Sequence, residues 1–428
     1  MRYSKEGICE AAQGLITKDC VVGNPTYDWI DIVAIPGRPQ KLGESLFFAS
    51  HSNGEGGWDN GFDRRPYACE RAKKEGCHLA VDKSLDASGI SYLETHSLNE
   101  LANSLYLNAR AESKPYVIGI TGSVGKTTTV AFLEHLLRTS GVKVERFYSK
   151  RLSPLSVSCH YINKVNPDTE CVVMEYSAYL SDHVSQLSQV LPPNIAFLLN
   201  VYDTHINPGM FKDRQDIVNS KVRIRPETSV GFINNAVVDE LHMVVPKGWG
   251  GFSVIVPPFR DNSLLPPTLR TAEMFTVGKL LADEIGISDE ILRRAFSTYV
   301  PQENRILQCN YRGKDIFFHG ETSGGGRLWS WFETLDKSVP WFLVEEVNFA
   351  DEDPQGFKGL LERVFNSDKT YVLDTPTNRE KLPVSAHFVN PGEFQSVLER
   401  ANGYIVYHKA LATRQSDFNQ AEYLNGRW

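Results

Sequence analysis

Tyr116-Val-Ile-Gly-Ile-Thr-Gly-Ser-Val-Gly-Lys-Thr-Thr-Thr129 is the stretch whose reading decides the fold. Tyr116 to Ile120 is an apolar run of strand length, and Thr127 to Thr139 reads as a helix stopped at Gly141. Between them, Gly122 and Gly125 carry no Cβ, so successive backbone N–H groups can turn toward phosphate oxygens. The helix start adds the positive end of its dipole. Lys126 has the reach for β- and γ-phosphates, and Thr127 offers a hydroxyl to Mg²⁺. Ser123 and Thr128 fall in the same nucleotide-contacting run. The spacing departs from G-x-x-x-x-G-K-[ST], because Ile120 occupies the first glycine position. A strand-to-helix turn without a ligand is the bland alternative, but Gly-Lys-Thr-Thr in this setting rarely arises by chance.

Working outward, Val142–Phe147, Cys171–Glu175 and Ile195–Val201 are further strand candidates separated by helical patterns. That alternation predicts a parallel sheet covered on both faces. The last third repeats the style. Trp341–Val344, Thr370–Leu373 and Gly403–Tyr407 alternate with helical stretches near Gly356–Phe365 and Glu393–Ala401. Nearer the start, Ser45–Ala49 reads as a strand and Gly54–Asp63 as a glycine-rich loop. The polar stretch Asn108–Pro115, after a helix over Leu98–Tyr106, reads as a linker. A second boundary falls at Val300–Asn304, after a helix from Asp289 to Tyr299. The expected fold class is α/β with three domains. These are a smaller α/β N-terminal domain over 1–112, a central P-loop domain with a mostly parallel sheet over 113–302, and a Rossmann-like C-terminal domain over 303–428.

The chain has 428 residues, 41% hydrophobic and 23% charged, which is ordinary globular composition with room for several cores. A net charge of -7 argues against a protein that coats nucleic acid or anionic membrane. The seven cysteines form no C-x-x-C pair, which speaks against a zinc cluster or disulfide framework and fits a reducing cytosol. Met1 to Gly14 carries charges and no apolar core of signal-peptide length, and no apolar run approaches the roughly 18 residues of a membrane span. The expectation is a cytoplasmic enzyme acting on small molecules, a monomer or small homo-oligomer.

Thr121-Gly-Ser-Val-Gly-Lys-Thr-Thr128 resembles the nucleotide loop of the Mur ligase family, ATP-dependent enzymes that join a carboxylate to an amine. Glu175 ends a strand and is followed by Tyr176-Ser177, where the family has a magnesium-ligating glutamate. Asn200-Val-Tyr-Asp-Thr-His205 resembles the family's N-x-x-x-D-H segment, with Thr204 in place of the aspartate, and His205 is carried over as a second magnesium ligand. Phe211–Ile224 reads as a helix resembling the segment ending in A-K-x-x-I. Its Lys221 matches the lysine that CO₂ converts to a carbamate supporting magnesium. Phe147–Ser156 resembles the family's substrate loop, and Asn234 of Phe232-Ile-Asn234 matches the asparagine that approaches adenine. Pro301-Gln-Glu-Asn-Arg305 resembles the hinge P-x-G-R, so Arg305 is carried over as a nucleotide contact.

The resemblance thus implies ATP and one or two Mg²⁺ as cofactors. It implies Lys126, Lys221, His205 and Glu175 as the catalytic set, with Thr127, Glu175, His205 and Lys221 around metal. It assigns the acceptor to the first domain, ATP to the second and the amine or amino acid to the third. The implied chemistry is activation of a carboxylate as an acyl phosphate, attack by the amine, and release of ADP and phosphate. A P-loop small-molecule kinase, or a nucleotide-binding scaffold derived from a ligase, are the alternatives.

Two further places depart from the family pattern, and one more segment resembles it. His319 stands where a ribose-holding aspartate is usual, followed by Gly324-Gly-Gly326-Arg327, which reads as a flexible loop or an anion nest. Tyr407-His-Lys409 is similar to a strand-end lysine of the last domain. At the N-terminus, Ser45–Ala49 and Gly61-Phe62 resemble family segments, but Ile35-Pro-Gly-Arg38 replaces the serine-arginine pair that holds UDP. A UDP-linked murein precursor is therefore not the expected acceptor.

Overall fold

The computed structural model describes residues 3–32, 45–50, 63–83, 85, 89–147, 152–178, 180–206, 210–258, 264–301, 307–319, 341–347, 362, 367–382, 385–410 and 419–428. In chain order the N-terminal part forms β1 (Ile16–Asp19), β2 (Trp29–Ile32), β3 (Ser45–Ala49), α1 (Arg65–Glu75), β4 (His78–Val81), β5 (Tyr92–Thr95) and α2 (Leu98–Glu112). The middle part continues with β6 (Tyr116–Thr121), α3 (Lys126–Thr139), β7 (Val144–Phe147), α4 (Pro154–Lys164), β8 (Cys171–Glu175) and α5 (His183–Val190). It goes on through β9 (Ile195–Leu198), α6 (Arg214–Lys221), β10 (Val230–Asn234), α7 (Asn235–Glu240), β11 (Trp249–Phe252), α8 (Leu269–Ile285) and α9 (Asp289–Thr298). Then come β12 (Leu307–Tyr311), β13 (Lys314–His319), β14 (Trp341–Glu346), β15 (Thr370–Leu373), β16 (Phe388–Val389), α10 (Pro391–Arg400), β17 (Ile405–Lys409) and α11 (Gln420–Arg427). The α/β class and the mostly parallel sheets are as expected: the strand orders are β1-β5-β4-β3-β2, β11-β10-β9-β6-β8-β7 and β12-β13-β17-β14-β15-β16.

By compactness the chain divides into two units. One comprises 1–118, 143–177 and 183–194; the other comprises 119–142, 178–182 and 195–428. In the first unit β2, β3, β4 and β5 pair in parallel, and β1 runs antiparallel to β5. Every residue of β3 and β8 is buried, which is why both read as unbroken apolar runs. Asn163 on α4 brackets Ile30 of β2, accepting from its N–H at 3.0 Å and donating to its carbonyl at 2.6 Å. Here one expectation is corrected. α2 does not end at Tyr106 but runs to Glu112, so most of the stretch Asn108–Pro115 is helix, not linker. Ala109 is buried, and Arg110 donates to Tyr106 Oη and to the Val190 carbonyl, so the last turn is packed despite its polar sequence.

In the second unit β9, β10 and β11 pair in parallel, with Ile195 opposite Val230 and Gly231 opposite Trp249. Helices α3, α8 and α9 pack around Phe132, which meets Phe296 and Tyr299 edge-on. Gly278 on α8 permits that approach, since a Cβ there would lie 2.6 Å from Phe132 Cε1. The C-terminal sheet is parallel except for the hairpin β12–β13, which turns at Arg312 and Gly313, both with positive φ. Its core holds Phe318, Leu343, Phe394, Val397 and Tyr407. The expected helix Gly356–Phe365 and loop Gly54–Asp63 lie almost wholly outside the described residues. Among the described residues no helix is long and apolar enough to cross a membrane.

Candidate functional site: the phosphate loop and its clasp

The run Gly122–Gly125 joins β6 to α3, as the sequence predicts. Gly122 has φ +154° and Gly125 φ +85°. A Cβ on Gly122 would sit 3.1 Å from Leu199 Cβ, so backbone freedom and space both select glycine there. Gly125 caps α3, and no side chain occupies the cap, leaving the first amides of a 14-residue helix facing the loop. Lys126 opens the helix and donates to the Ser123 carbonyl at 3.0 Å. Thr127 and Thr128 follow in the first turn, both half-buried.

The loop is held from behind by the segment after β9. Ser123 N–H donates to the Asn200 carbonyl at 2.9 Å, and Val124 N–H donates to Asn200 Oδ1 at 2.9 Å. Asn200 Nδ2 returns a bond to the Val124 carbonyl at 2.9 Å. Ser123 Oγ accepts from Tyr202 N–H at 3.0 Å and from Thr204 Oγ1 at 3.2 Å. Asn200-Val-Tyr-Asp-Thr-His205 is thus a clasp on the phosphate loop, holding it through Asn200, Tyr202 and Thr204. Ile195–Val201 was expected to be strand throughout, but β9 ends at Leu198, because Leu199 N–H bonds the Thr121 carbonyl and Asn200 turns to the loop. Asp203 pairs with Arg214 through two bonds of 3.1 and 2.7 Å, which raises the guanidinium further above its usual range. His205 lies at the end of the clasp in a left-handed conformation, φ +59°.

Lys221 is 3% exposed, and its Nζ donates to the Gly122 carbonyl at 2.8 Å. Its helix is shorter than expected. Asp213 caps it by accepting from Asp216 N–H, so α6 begins at Arg214, and after Lys221 the chain tightens into a 3₁₀ turn over Val222–Ile224. Asn234 ends β10 and caps α7, its Oδ1 accepting from Ala236 N–H at 3.0 Å. A cavity of ≈ 260 Å³ opens beside the clasp, lined among others by Asn200, Tyr202, Asn234, Asp239, Ser253 and Arg270.

Sequence reasoning missed Glu273. It is 1% exposed on α8 and accepts from Asn200 Nδ2 at 2.8 Å, Asn234 Nδ2 at 2.9 Å and Arg270 Nη1 at 2.8 Å. The available signal was a charge set inside the apolar run Ala272–Val277.

In the first unit, Glu175 ends β8 as a buried carboxylate whose Oε1 accepts from Ser177 Oγ at 2.7 Å. Arg305, Ile35–Arg38, Gly61-Phe62, Gly324–Arg327 and most of the Phe147–Ser156 loop's first half lie outside the described residues. His319 is described: it is buried in β13, with Nδ1 3.0 Å from His408 Nδ1. Lys409, the strand-end lysine, is paired to Glu345 at 2.9 Å. Among the described residues no group of three or more His, Cys, Asp or Glu side chains is arranged to hold a metal ion.

A glycine-rich turn between a buried parallel strand and a lysine-headed helix, clasped by the segment after the next strand, defines a P-loop protein of the α/β class. Comparison with known proteins narrows this. Residues 120–240 match the family model described as the Mur ligase middle domain. Over 333 residues the chain is 25% identical to the UDP-N-acetylmuramoylalanine--D-glutamate ligase of Nitratidesulfovibrio vulgaris, covering 76% of this chain and 71% of that protein. Among solved structures, MurF from Acinetobacter baumannii superimposes with a TM-score of 0.71 at 15% identity, over 96% of each chain. MurF ligase from Thermotoga maritima, solved in complex with ADP, gives 0.64 at 18% identity, over 90% of this chain and 93% of that one. The chain thus contains a stretch that matches the Mur ligase middle domain, within a fold like that of MurF.

Proposed function

We propose that this chain is an ATP-dependent ligase that activates a carboxylate as an acyl phosphate and couples it to an amine or amino acid. The observation that supports this most is the phosphate loop within the matched Mur ligase middle domain, with Lys126 at its helix start and buried Lys221 bonded to its Gly122 carbonyl. In the reaction, a carboxylate oxygen attacks the γ-phosphorus and the bond to the bridging oxygen of ADP breaks. The amine nitrogen then attacks the acyl carbon, loses a proton, and the carbon–oxygen bond to phosphate breaks. Such chemistry needs charge neutralisation and positioning more than an acid–base pair.

The roles assigned to residues are part of the proposal. Gly122, Ser123, Gly125, Thr127 and Thr128 offer backbone and hydroxyl groups to the phosphates, Lys126 supplies positive charge, and Asn234 faces the base from the cavity wall. Arg305 is retained as a nucleotide contact. Mg²⁺ suits oxygen donors, and the Thr127 hydroxyl and the Glu175 carboxylate, which Ser177 orients, have that chemistry. Bound Mg²⁺ would neutralise phosphate charge. His205 and Lys221 complete the proposed metal set. A lysine ammonium is no magnesium ligand, so this role requires Lys221 to add CO₂ and lose a proton, giving a carbamate. The carbamate keeps one N–H, which suffices for the observed bond to Gly122.

Residues 1–112 would take the acceptor, 113–302 ATP, and 303–428 the amine. The acceptor proposed is a small carboxylate other than a UDP-linked murein precursor, on the strength of Ile35-Pro-Gly-Arg38. The test is product analysis with a panel of carboxylates and amines. ADP and phosphate should appear together only when both substrates are present, alongside an amide. A stable phosphoester formed without amine would replace the ligase by a kinase. Lys221→Ala should lose about 10²- to 10³-fold in turnover and recover with short carboxylic acids. Failure of that rescue removes the carbamate and leaves the ligase.

A further inference from the structure

We propose that Glu273 is a positioning residue that locks the phosphate loop to the cavity beside it. This rests on reading the 119–129 loop as an ATP site. A carboxylate can only accept hydrogen bonds. Glu273 Oε2 takes Asn200 Nδ2 and Arg270 Nη1, both at 2.8 Å, and Oε1 takes Asn234 Nδ2 at 2.9 Å. Both amides must therefore turn their NH₂ groups toward Glu273, which fixes where their oxygens go. Asn200 Oδ1 is committed to Val124 N–H inside the phosphate loop, at 2.9 Å. Asn234 Oδ1 is committed to Ala236 N–H at the start of α7, at 3.0 Å. Arg270, held by the same carboxylate, lies over the Tyr202 ring at 5.6 Å, and Tyr202 N–H bonds Ser123 Oγ in the loop. One buried charge thus sets the orientation of three side chains that line the cavity, and two of the paths end on phosphate-loop atoms.

A carboxylate at this place is otherwise hard to explain. A Cβ on Gly125 would lie 3.9 Å from Glu273 Oε2, so the negative charge sits close behind an anion-binding turn. An apolar side chain would avoid that charge but take the Glu273 acceptor from the Asn234 NH₂ and from one N–H of Asn200, which is the costly outcome. Arg270 offsets the charge at 2.8 Å while remaining on the cavity wall. Glutamine cannot replace it, because one of its two atoms is a donor. Whichever amide meets that donor must turn: Asn200 then points its NH₂ at the Val124 N–H, or Asn234 points its NH₂ at the Ala236 N–H.

The test is calorimetric titration of the full chain with Mg-ADP and with inorganic tripolyphosphate, which has no base, together with thermal melting. Glu273→Gln should weaken both ligands roughly tenfold or more at temperatures where the variant is fully folded. The exchanged pair Glu273→Gln/Asn234→Asp, which puts the acceptor on the other side of a contact whose amide donates to Glu273 and accepts from Ala236 N–H, should recover most of the loss for tripolyphosphate, which has no base for residue 234 to face. A lowered melting temperature with both affinities unchanged would make Glu273 a packing residue and overturn the proposal. So would a Glu273→Gln chain that fails to fold and is not restored by the exchanged pair. A wild-type chain that binds neither ligand overturns the nucleotide-site reading instead.

Discussion

Glu273 and Glu345 are both nearly inaccessible carboxylates on which several donors converge, yet their partners differ in kind. Glu273 gathers two neutral amides and one guanidinium, and the Asn200 amide hands its remaining bonds to phosphate-loop backbone. Glu345 gathers the hydroxyls of Tyr407 and Tyr423, Lys409 Nζ at 2.9 Å and Arg427 Nε at 3.4 Å. Its donors come from β17 and α11, and Trp428 Nε1 extends the network to Tyr407 at 2.9 Å. The first network terminates on a loop whose shape matters. The second terminates on side chains of a helix and a strand, and what it secures is their attachment. Burial alone would raise the Glu345 carboxyl, but the bonds from Tyr407, Tyr423 and Lys409 outweigh it and hold it below its ordinary value of 4.5.

The contrast can be broken by exchanging the two readouts. Glu345→Gln should cost about 3 kcal/mol in urea denaturation, because Lys409 loses a buried counter-charge, while Mg-ADP affinity stays at the wild-type value. A matching loss of ADP affinity would mean that the two networks serve one purpose. A smaller effect is expected at the loop itself. Gly122→Ala places a Cβ against Leu199 in a backbone region that disfavours it, costing about 1–3 kcal/mol. Here ADP affinity should fall with stability, and an unchanged affinity would show that the loop tolerates a reshaped backbone.

The smallest effect is one of pH. His408 is fully buried, and desolvation, with His319 beside it, holds its pKa well below the ordinary 6.5. The unfolded chain therefore binds a proton that the folded chain refuses. Stability from this group is complete above 6.5 and declines as pH falls from there toward the folded value. The decline amounts to about 0.7 kcal/mol between pH 7 and 6. His408→Gln should remove that slope from a series of urea midpoints, and an unaltered slope would place the titration elsewhere.

How much of this was legible in the sequence depended on where each residue's partners lie. The phosphate loop was legible because its glycines, Lys126 and Thr127 act within one strand–turn–helix. β3, β8 and β15 match the expected runs Ser45–Ala49, Cys171–Glu175 and Thr370–Leu373 because full burial leaves an uninterrupted apolar signature. Glu273 was not legible, since a lone glutamate on a helix ordinarily faces water, and its acceptor role depends on Asn200 and Asn234, 73 and 39 residues away. Asn108–Pro115 misled for the opposite reason. Its charges read as a linker, while Ala109 and Arg110 are tied to partners that the local sequence does not show. The clasp was half legible: Asn200 to His205 was recognised as one segment, but its hold on Ser123 and Val124 is a tertiary fact.

The most direct test is calorimetric titration of Mg-ADP into the wild-type chain and into Lys126→Ala. Lys126 donates to the Ser123 carbonyl, so the comparison is made at a temperature where both proteins are fully folded. The nucleotide-site assignment predicts saturable one-to-one binding by the wild type and a loss of roughly a hundredfold or more in the variant. Equal affinity in the two proteins would contradict it.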